Sequence, residues 1–329
     1  MTDRASAAHG AGEKGGSYSK VVAVLLAVQF AFASWAIVGK VTLGVVPPLA
    51  LTTLRLVGGA VAFGALSLAS GRSIVAPRGE RLEVVRLALA GLVINQLCFT
   101  WGLARTSAIE TTLLVATIPV FSALFAVLTG AERASRAIAL GICCAMAGVV
   151  LVARPWRSSN AQPHLVGDLL VLANSASYAM YLVRGRAMFA RHGAFAVLGW
   201  IFPVAALCVL PLGLPELART AGSYSAQTWV AITYVVLGPT VFAYAGNAYA
   251  LARAPSSLVA AFIYVQPALA VIMAVAFGDA LARWLSVPPP REKLELVTVG
   301  GLVAILAGVW IATRREAPSA TPPADGAKA

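Results

Sequence analysis

The chain has 329 residues, its mean hydropathy is +0.82, and only 12% of its residues are charged. Because a soluble domain carries about 25% charged residues, this composition excludes an ordinary soluble protein. The net charge of +12 would suit a nucleic-acid partner, but the lysines and arginines lie in short links between apolar runs, as membrane-flanking charges do. We therefore expect the lipid bilayer, and no nucleic acid, as a partner of this chain.

Ten apolar runs follow one another along the chain. A helix needs about 20 apolar residues to cross the bilayer core, so the sequence predicts spans near 21–39, 48–69, 84–103, 107–129, 137–153, 165–184, 195–213, 227–250, 256–277 and 297–313. Residues 1–20 and 316–329 are too polar to bury surface, and we interpret them as disordered cytoplasmic tails. The first run lacks a convincing small-residue cleavage site and is interpreted as an uncleaved span.

The second half of the chain repeats the first. Matching residues lie 148 apart in most of the repeat (Arg105 with Arg253, Pro119 with Pro267, Gly130 with Gly278) and 160 apart in its last part (Gly141 with Gly301, Gly148 with Gly308, Arg154 with Arg314). The additional residues of the second copy surround a proline-rich insertion at 283–293. We therefore divide the chain into a first repeat (21–153), a linker (154–164) and a second repeat (165–315).

The number of spans in each repeat is odd, so the second repeat must enter the membrane from the opposite side. The predicted fold is thus an all-α integral membrane protein with ten transmembrane helices in two inverted five-helix repeats. If the N-terminus is cytoplasmic, 16 of the 25 lysines and arginines lie in cytoplasmic segments, 8 lie outside, and Arg55 lies within a span. The excess of positive charge inside predicts that both termini are cytoplasmic.

Several short sequences carry a family resemblance. They are Ser34-Trp35-Ala36 with its counterpart Ser177-Tyr178-Ala179, the block LARTSAIETTLLVATIPVF at 103–121 with its counterpart around Pro267, Gly130-Ala131-Glu132, and Gly167-Asp168. Over about residues 20–315 the chain resembles the drug/metabolite transporter superfamily, specifically its ten-span EamA-type members. Tyr178 departs from the tryptophan that this family often has there.

The resemblance implies a multi-pass secondary transporter of the cytoplasmic (inner) membrane. It moves a small organic metabolite, an amino acid or similar, by alternating access, and the resemblance favours efflux. A non-transporting membrane component on the same scaffold, with a lipid-handling or sensory role, is the alternative. Neither substrate identity nor oligomeric state is indicated by the residues.

The sequence contains no arrangement typical of an enzyme. It has no paired carboxylates within a span, no nucleophile motif and no glycine-rich phosphate loop, and its three histidines are scattered. The four cysteines lie in apolar runs without the spacing of metal ligands, and we interpret them as buried apolar side chains. We therefore expect no catalytic residue, no metal and no cofactor.

Polar side chains within the spans are the candidates for a substrate site, because they are costly in the bilayer and face a cavity or a partner. Arg55 lies about 10 Å into the second span, at about 1.5 Å per residue from Pro48. One interpretation is a fixed charge that faces a substrate carboxylate. The other is a structural arginine that binds backbone carbonyls or extends towards the interface.

Four polar residues of the sixth span share one helical face, because Asn174, Ser177, Tyr178 and Tyr181 follow an i, i+3, i+4, i+7 spacing. Such a stripe either lines a wet cavity or forms hydrogen bonds with neighbouring helices. We favour the cavity, because Tyr178 corresponds to Trp35 and each repeat then contributes an aromatic side chain.

The third and eighth spans contribute the candidates Gln96, Tyr244 and Asn247, for which a cavity and interhelical hydrogen bonding are equally compatible with the sequence. Trp101 and Tyr249 lie near span ends and are interpreted as interfacial anchors.

Tyr264 and Gln266 precede Pro267, whose missing N–H leaves a carbonyl available to a ligand or a bend. Pro119 and Pro267 are interpreted first as hinges or kinks.

Glu110 and Asp168 lie at helix starts and are interpreted as structural caps. No carboxylate lies in the middle of a span, so the sequence shows no evident residue for a proton relay.

Overall fold

A computed structural model describes residues 2–129, 136–153, 162–289 and 295–313. Within these ranges the chain forms helices and no strand, which confirms the all-α class. The α-helices are α1 (Thr2–Thr42), α2 (Pro48–Ala69), α3 (Arg81–Ala88), α4 (Asn95–Arg105), α5 (Ala108–Val115), α6 (Ile118–Leu128), α7 (Arg136–Ala153), α8 (Gln162–His192), α9 (Ala194–Thr220), α10 (Ala226–Val236), α11 (Ala243–Leu251), α12 (Ser256–Ala261), α13 (Val265–Trp284) and α14 (Leu296–Thr313).

Eight helical segments are long and apolar enough to cross a membrane: Ser19–Thr42, Pro48–Ala69, Arg78–Arg105, Ala108–Leu128, His164–His192, Ala194–Ser223, Ala226–Leu251 and Leu258–Trp284. Each coincides with a predicted span. The shorter apolar helices Ala139–Val152 and Leu296–Gly308 lie where the fifth and tenth spans are predicted. The chain is therefore a multi-pass membrane protein.

The first helix is longer than its predicted span. It begins at Thr2, so the stretch 1–20, interpreted above as a disordered tail, is helical from its second residue. A helix that has been nucleated grows with one further hydrogen bond for each residue added, and the apolar segment 21–39 supplies the nucleus. The predicted tail at 316–329, and all but the last three residues of the linker, lie outside the described residues.

Two spans contain a π-helix at matching places. The first π-helix, Leu89–Ile94, joins α3 to α4, and the second, Leu237–Phe242, joins α10 to α11. Both are six residues long and they start 148 residues apart. A π-helix breaks the regular i→i−4 hydrogen bonding and often marks a functional site.

Two further spans are interrupted just before their prolines. A turn at 116–117 separates α5 from α6, in which Pro119 is the second residue. In the second repeat a 3-10 turn, Phe262–Tyr264, separates α12 from α13, in which Pro267 is the third residue. Each proline thus lies in a first helical turn, where its missing N–H costs little.

The central helices are α1 and α8, the first span of each repeat. Helix α1 packs against α11 and α13, while α8 packs against the matching helices of the other repeat, α4 and α6. Helices α2 and α9 pack against each other. The first helix of each repeat thus packs against helices of the other repeat, so both repeats contribute to the middle of the bundle.

Helices α7 and α14 form a close pair. A Cβ atom on Gly148 would lie 2.5 Å from the carbonyl oxygen of Gly301, and one on Gly308 would lie 2.5 Å from the carbonyl oxygen of Gly141. Only glycine permits such an approach, which is typical of helix pairs in membranes. Each contact corresponds to the other when residues 160 apart are matched, because Gly148 matches Gly308 and Gly141 matches Gly301.

Candidate functional site

A cavity lies in the middle of the bundle, between helices of both repeats. Its space for the centres of water-sized molecules is about 50 Å³, which corresponds to a few waters. Fourteen side chains line it: Phe32, Trp35, Arg55, Asn95, Gln96, Phe99, Thr112, Val115, Ile118, Asn174, Tyr178, Tyr244, Ile263 and Gln266. The cavity is narrow, so a metabolite larger than a few waters has to widen it.

Arg55 supplies the positive charge of the cavity. The side chain comes from α2 and is 2% exposed. Its Nε donates a hydrogen bond of 2.9 Å to Oγ1 of Thr240 in the second π-helix. The guanidinium carbon lies 4.2 Å from the centre of the Trp35 ring, which is a cation–π contact. Arg55 is therefore held by the protein rather than extended towards the interface.

The indole of Trp35 forms one wall of the cavity. It stacks on Phe99, with 5.7 Å between ring centres and an interplanar angle of 25°. One face of the indole meets the guanidinium of Arg55 and its neighbour Phe99 stacks on it, so three side chains from α1, α2 and α4 form one cluster.

Gln96 is an unusual polar group in this cavity. It is 1% exposed, and neither Oε1 nor Nε2 forms a hydrogen bond within the described residues. Gln96 and Tyr244 both line the cavity, and no hydrogen bond joins them by geometry. Buried amide groups are normally paired, so Gln96 has unused capacity to donate and to accept.

The first π-helix offers its backbone oxygens to the second repeat. Ser177 donates to the carbonyl of Ala90 at 2.6 Å, and Asn174 donates to the carbonyl of Asn95, just past the π-helix, at 3.0 Å. Tyr244 is within 3.1 Å of the carbonyl of Gly91 and 3.0 Å of Oδ1 of Asn95. The polar stripe of α8 is thus divided between interhelical bonding and the cavity.

Aromatic rings close the other side of the cavity. Tyr178 stacks on Tyr181 at 5.4 Å and meets Tyr244 edge-on at 6.3 Å. Phe32 contacts Tyr178 and Tyr244 edge-on at 6.4 and 6.2 Å. Asn247 donates to the Tyr178 hydroxyl from behind. These rings give the cavity an apolar wall with polar edges.

Seven of the eleven predicted site residues line the cavity: Trp35, Arg55, Gln96, Asn174, Tyr178, Tyr244 and Gln266. Four do not. Ser177 bonds to Ala90, Tyr181 packs beneath Tyr178, Asn247 supports Tyr178, and Tyr264 packs near Val120 on the side of α7.

The sequence analysis missed the apolar part of the lining. It consists of Phe32, Phe99, Val115, Ile118 and Ile263, and the polar Thr112 and Asn95 complete the lining. Helical spacing could have indicated two of them, because Phe32 precedes Trp35 by three residues and Phe99 follows Gln96 by three. The aliphatic residues carry no such signal among so many apolar neighbours.

The carboxylates of Glu110 and Asp168 lie outside the cavity lining and meet at one hydroxyl. Oγ1 of Thr106 is 3.0 Å from Oε2 of Glu110 and 2.7 Å from Oδ1 of Asp168. The Ser107 hydroxyl caps α5, because it accepts from the backbone N–H of Glu110 at 3.0 Å, and it donates to the Glu110 carboxylate at 3.2 Å. For Glu110 this agrees with the interpretation as a cap.

Lys40 binds the end of α4 nearby. Its Nζ donates to the carbonyls of Leu103 at 2.9 Å and Thr106 at 2.6 Å. A cation at a helix C-terminus is stabilised by the helix dipole. The ends of α1 and α4 are thereby joined.

The opposite end of the bundle carries ion pairs between the repeats. Arg184 at α8 contacts both oxygens of Glu83 in α3 at 2.8 Å. Glu80 lies 3.2 Å from Arg191 and 3.2 Å from His192. We call Glu80, Glu83, Arg184 and Arg191 the ionic clasp.

The cysteines are not the buried side chains that the sequence analysis expected. Cys143 and Cys208 are exposed, and Cys98 and Cys144 are partly exposed. Because the apolar surface of a membrane protein faces lipid rather than water, apolar sequence alone does not indicate burial inside the protein. The described residues contain no group of metal-ligating side chains.

A helical multi-pass fold with a central cavity lined by both halves of the chain is an arrangement typical of membrane carriers. The chain belongs to the EamA-like transporter family, whose family model matches it twice, at residues 19–154 and 165–314. This confirms the family resemblance drawn from the sequence.

Relatives and a known fold agree with this membership. A protein of Archaeoglobus fulgidus described as an uncharacterized transporter is 28% identical over 74% of this chain and 81% of its own length. A probable terminal-alkyne amino-acid exporter of Streptantibioticus cattleyicolor is 29% identical over 78% of this chain and 81% of its own length. A protein of known crystal structure matches with a TM-score of 0.62 and 21% identity, over 90% of this chain and 96% of the other.

Proposed function

We propose that this protein exports a small organic metabolite, an amino acid or similar, across the cytoplasmic membrane. The observation that carries the proposal is the central cavity, which combines a held arginine, an unpaired amide and aromatic walls from both repeats. Membership of a transporter family supports transport. The amino-acid class and the outward direction rest on the relative described as a probable amino-acid exporter.

The transport cycle is alternating access between two inverted repeats of five spans. Three observations support a two-fold repeat: the family model matches twice, the π-helices lie 148 residues apart, and the glycine contacts of α7 and α14 are reciprocal. The inversion follows from the odd number of proposed spans in each repeat. Reciprocal contacts are what a two-fold relation produces. The cavity then lies near mid-membrane, where inverted-repeat transporters bind their substrates.

The two ends of the bundle act as alternate gates. With both termini in the cytoplasm, as the charge bias predicts, the ionic clasp lies at the cytoplasmic end. At the other end Val41, Ala231, Ala282 and Leu285 form an apolar cluster. When the ionic clasp separates, the cavity opens towards the cytoplasm. When the apolar cluster separates, the cavity opens towards the outside.

The substrate-binding residues are the seven predicted side chains that line the cavity. Three other predicted residues lie outside the lining and support it. Ser177 bonds to the first π-helix, while Tyr181 and Asn247 contact the Tyr178 side chain. Tyr264 has no such role, since it packs towards α7. The breaks before Pro119 and Pro267 are the hinges.

Flux into proteoliposomes tests the proposal. A metabolite library is first screened by thermal shift on the purified protein, and each hit is then measured for flux. We expect Tyr178→Ala and Asn174→Ala to reduce flux about tenfold, through loss of aromatic surface and of a hydrogen bond. Leu169→Ala, at an exposed position of α8, should leave flux unchanged. If no metabolite crosses in the presence of protein, the transport proposal is wrong.

A second test concerns orientation. On a background without the four cysteines, single cysteines are placed in the segments 70–83 and 154–164 and labelled from either side. Labelling of 154–164 from the cytoplasmic side alone would contradict the proposed topology.

A further inference from the structure

The cavity has a one-sided charge. Among its fourteen lining side chains, Arg55 alone carries a formal charge, and none of them is a carboxylate. Within the described residues, no carboxylate lies at ion-pair distance from Arg55. A buried cation without a counter-charge is unfavourable unless a bound partner compensates it.

The donors of Arg55 are only partly used. A guanidinium has five N–H donors, and within the described residues Arg55 uses its Nε alone, which donates to Thr240. The guanidinium carbon lies over the Trp35 ring, and neither Nη atom has a hydrogen-bond acceptor within the described residues. Two parallel Nη donors match the two oxygens of a carboxylate.

Gln96 is a second and independent observation. Its buried amide has no hydrogen-bond partner at either atom in the part of the chain that the structure describes. Arg55 and Gln96 both line the same narrow cavity, whose space for the centres of water-sized molecules is about 50 Å³. A group bound at Arg55 is therefore also within reach of the Gln96 amide, which can donate to an oxygen.

The rest of the lining suits hydrocarbon. Phe32, Phe99, Val115, Ile118 and Ile263 present apolar surface, and apolar walls with a few placed polar groups are typical of ligand sites. An amine without an acidic group finds no carboxylate in the lining and is repelled by Arg55.

We infer that the substrates of this cavity are organic monocarboxylates with an apolar remainder, amino acids among them, whose carboxylate is bound by Arg55 and Gln96. The inference rests on the proposed transport function and specifies the substrate class of the same site. The carboxylate is required, whereas the ammonium group of an amino acid is not.

Three matched probes test the inference on the purified full-length chain by calorimetry. They are hexanoate, norleucine, which adds an ammonium group, and norleucinamide, whose carboxylate is replaced by a carboxamide. We expect hexanoate and norleucine to bind and norleucinamide to bind at least tenfold more weakly. Equal binding of norleucine and norleucinamide, or no binding of either carboxylate up to 50 mM (about the weakest useful affinity for such small probes), would overturn it.

Variants then locate the charge that discriminates. Arg55→Gln should remove the preference for norleucine over norleucinamide, and Gln96→Glu, which adds a carboxylate of the same size to the cavity, should weaken hexanoate binding at least tenfold. Arg253→Gln is the matched control, because Arg253 lies over Tyr249 and does not line the cavity. A preference that survives in Arg55→Gln contradicts the inference. Where Arg55→Gln does not fold, undiminished hexanoate binding by Gln96→Glu contradicts it.

Flux separates this inference from the proposed function. If proteoliposomes carry metabolites and neither hexanoate nor norleucine competes, the inference fails while transport stands. If no metabolite crosses but the carboxylate preference and its dependence on Arg55 are observed, the site is correct and the transport function fails.

Discussion

The two π-helices have the same backbone conformation but differ in the groups that they contact. They lie 148 residues apart and have the same length. The first directs backbone oxygens at Ala90 and Gly91 towards hydroxyl groups of the second repeat. The second instead holds Arg55 of the first repeat through the Thr240 hydroxyl.

This difference separates what the fold needs from what the site needs. A repeated backbone lets the two ends of the bundle open in equivalent ways, which alternating access requires. A cavity with the same side chains on both sides could not orient a ligand that has one polar end. Because Arg55 is the one charged side chain of the lining, the cavity can orient such a ligand with its negative end towards Arg55.

The largest effect is expected where the repeats touch most closely. In Gly308→Ala the new Cβ would lie 2.4 Å from the backbone nitrogen of Ala145, and backbone cannot move aside as a side chain can. We expect a loss of about 3 kcal/mol in the free energy of unfolding, measured by chemical denaturation in detergent. Because the contacts are reciprocal, Gly148→Ala should have a similar effect.

Gly300→Ala is the control for this prediction, since no atom lies within 4 Å of the added Cβ. It changes the same helix and should stay within about 0.5 kcal/mol of the parent. If Gly148→Ala resembled this control while Gly308→Ala did not, the reciprocity of the α7–α14 contact would be refuted.

A somewhat smaller effect is expected at the first π-helix. A Cβ on Gly91 would lie 2.2 Å from the Tyr181 ring, so Gly91→Ala must displace Tyr181 and with it the stacked Tyr178. We expect a cost of about 2 kcal/mol and a clear loss of flux. The control is Gly238→Ala in the second π-helix, where the nearest atom is 3.6 Å away. Equal flux in the two variants would show that the stack does not shape the cavity.

The sequence was sufficient to predict the all-α membrane class and the positions of the eight long spans. Hydropathy is a strong signal here, because a transmembrane helix must present apolar surface over the whole thickness of the bilayer core. The π-helices were not predicted, although Pro239 within Leu237–Phe242 lacks the N–H that a regular helix needs; Leu89–Ile94 contains no proline. The helical start at Thr2 was missed because polarity was taken as evidence against a helix.

The predicted residues that line the cavity include those whose polarity is costly within a span. Arg55 and Gln96 are conspicuous within apolar spans, and both line the cavity. Ser177 and Tyr181 share the helical face of Tyr178, but that face extends beyond the cavity to the first π-helix. Helical spacing determines which side chains share a face, whereas the neighbouring helices determine which of them meet a ligand.

Removal of the Thr240 hydroxyl should lower the free energy of unfolding by less than the glycine substitutions above. Thr240→Val keeps the shape of the side chain and removes the acceptor of Arg55, so we expect a loss of about 1.5 kcal/mol, typical of a hydrogen bond to a charged group. Thr100→Val is the control, because the buried Thr100 hydroxyl has no partner within the described residues. It should be neutral or stabilising. Denaturation midpoints compare the two, and an equal loss in both would mean that Thr240 does not hold Arg55.

The smallest change in stability is expected at the ionic clasp. Glu83 and Arg184 are 23% and 38% exposed, and exposed ion pairs contribute about 0–1 kcal/mol. Glu83→Gln should therefore leave the melting temperature nearly unchanged. Because the pair joins the two repeats at one end, its loss should instead shift the population towards the state open at that end. A cysteine at Thr112, in the cavity lining, should then react faster with a reagent added from the cytoplasmic side.

Arg86→Gln is the matched control for the clasp. Arg86 also contacts Glu83, at 3.4 Å, but both residues belong to α3, so this pair does not join the repeats. Its loss should leave the reactivity of the cysteine unchanged. If Glu83→Gln and Arg86→Gln altered the labelling rate equally, the clasp would be surface charge rather than a gate. The two ends of the bundle would then open without help from the ion pairs that distinguish them.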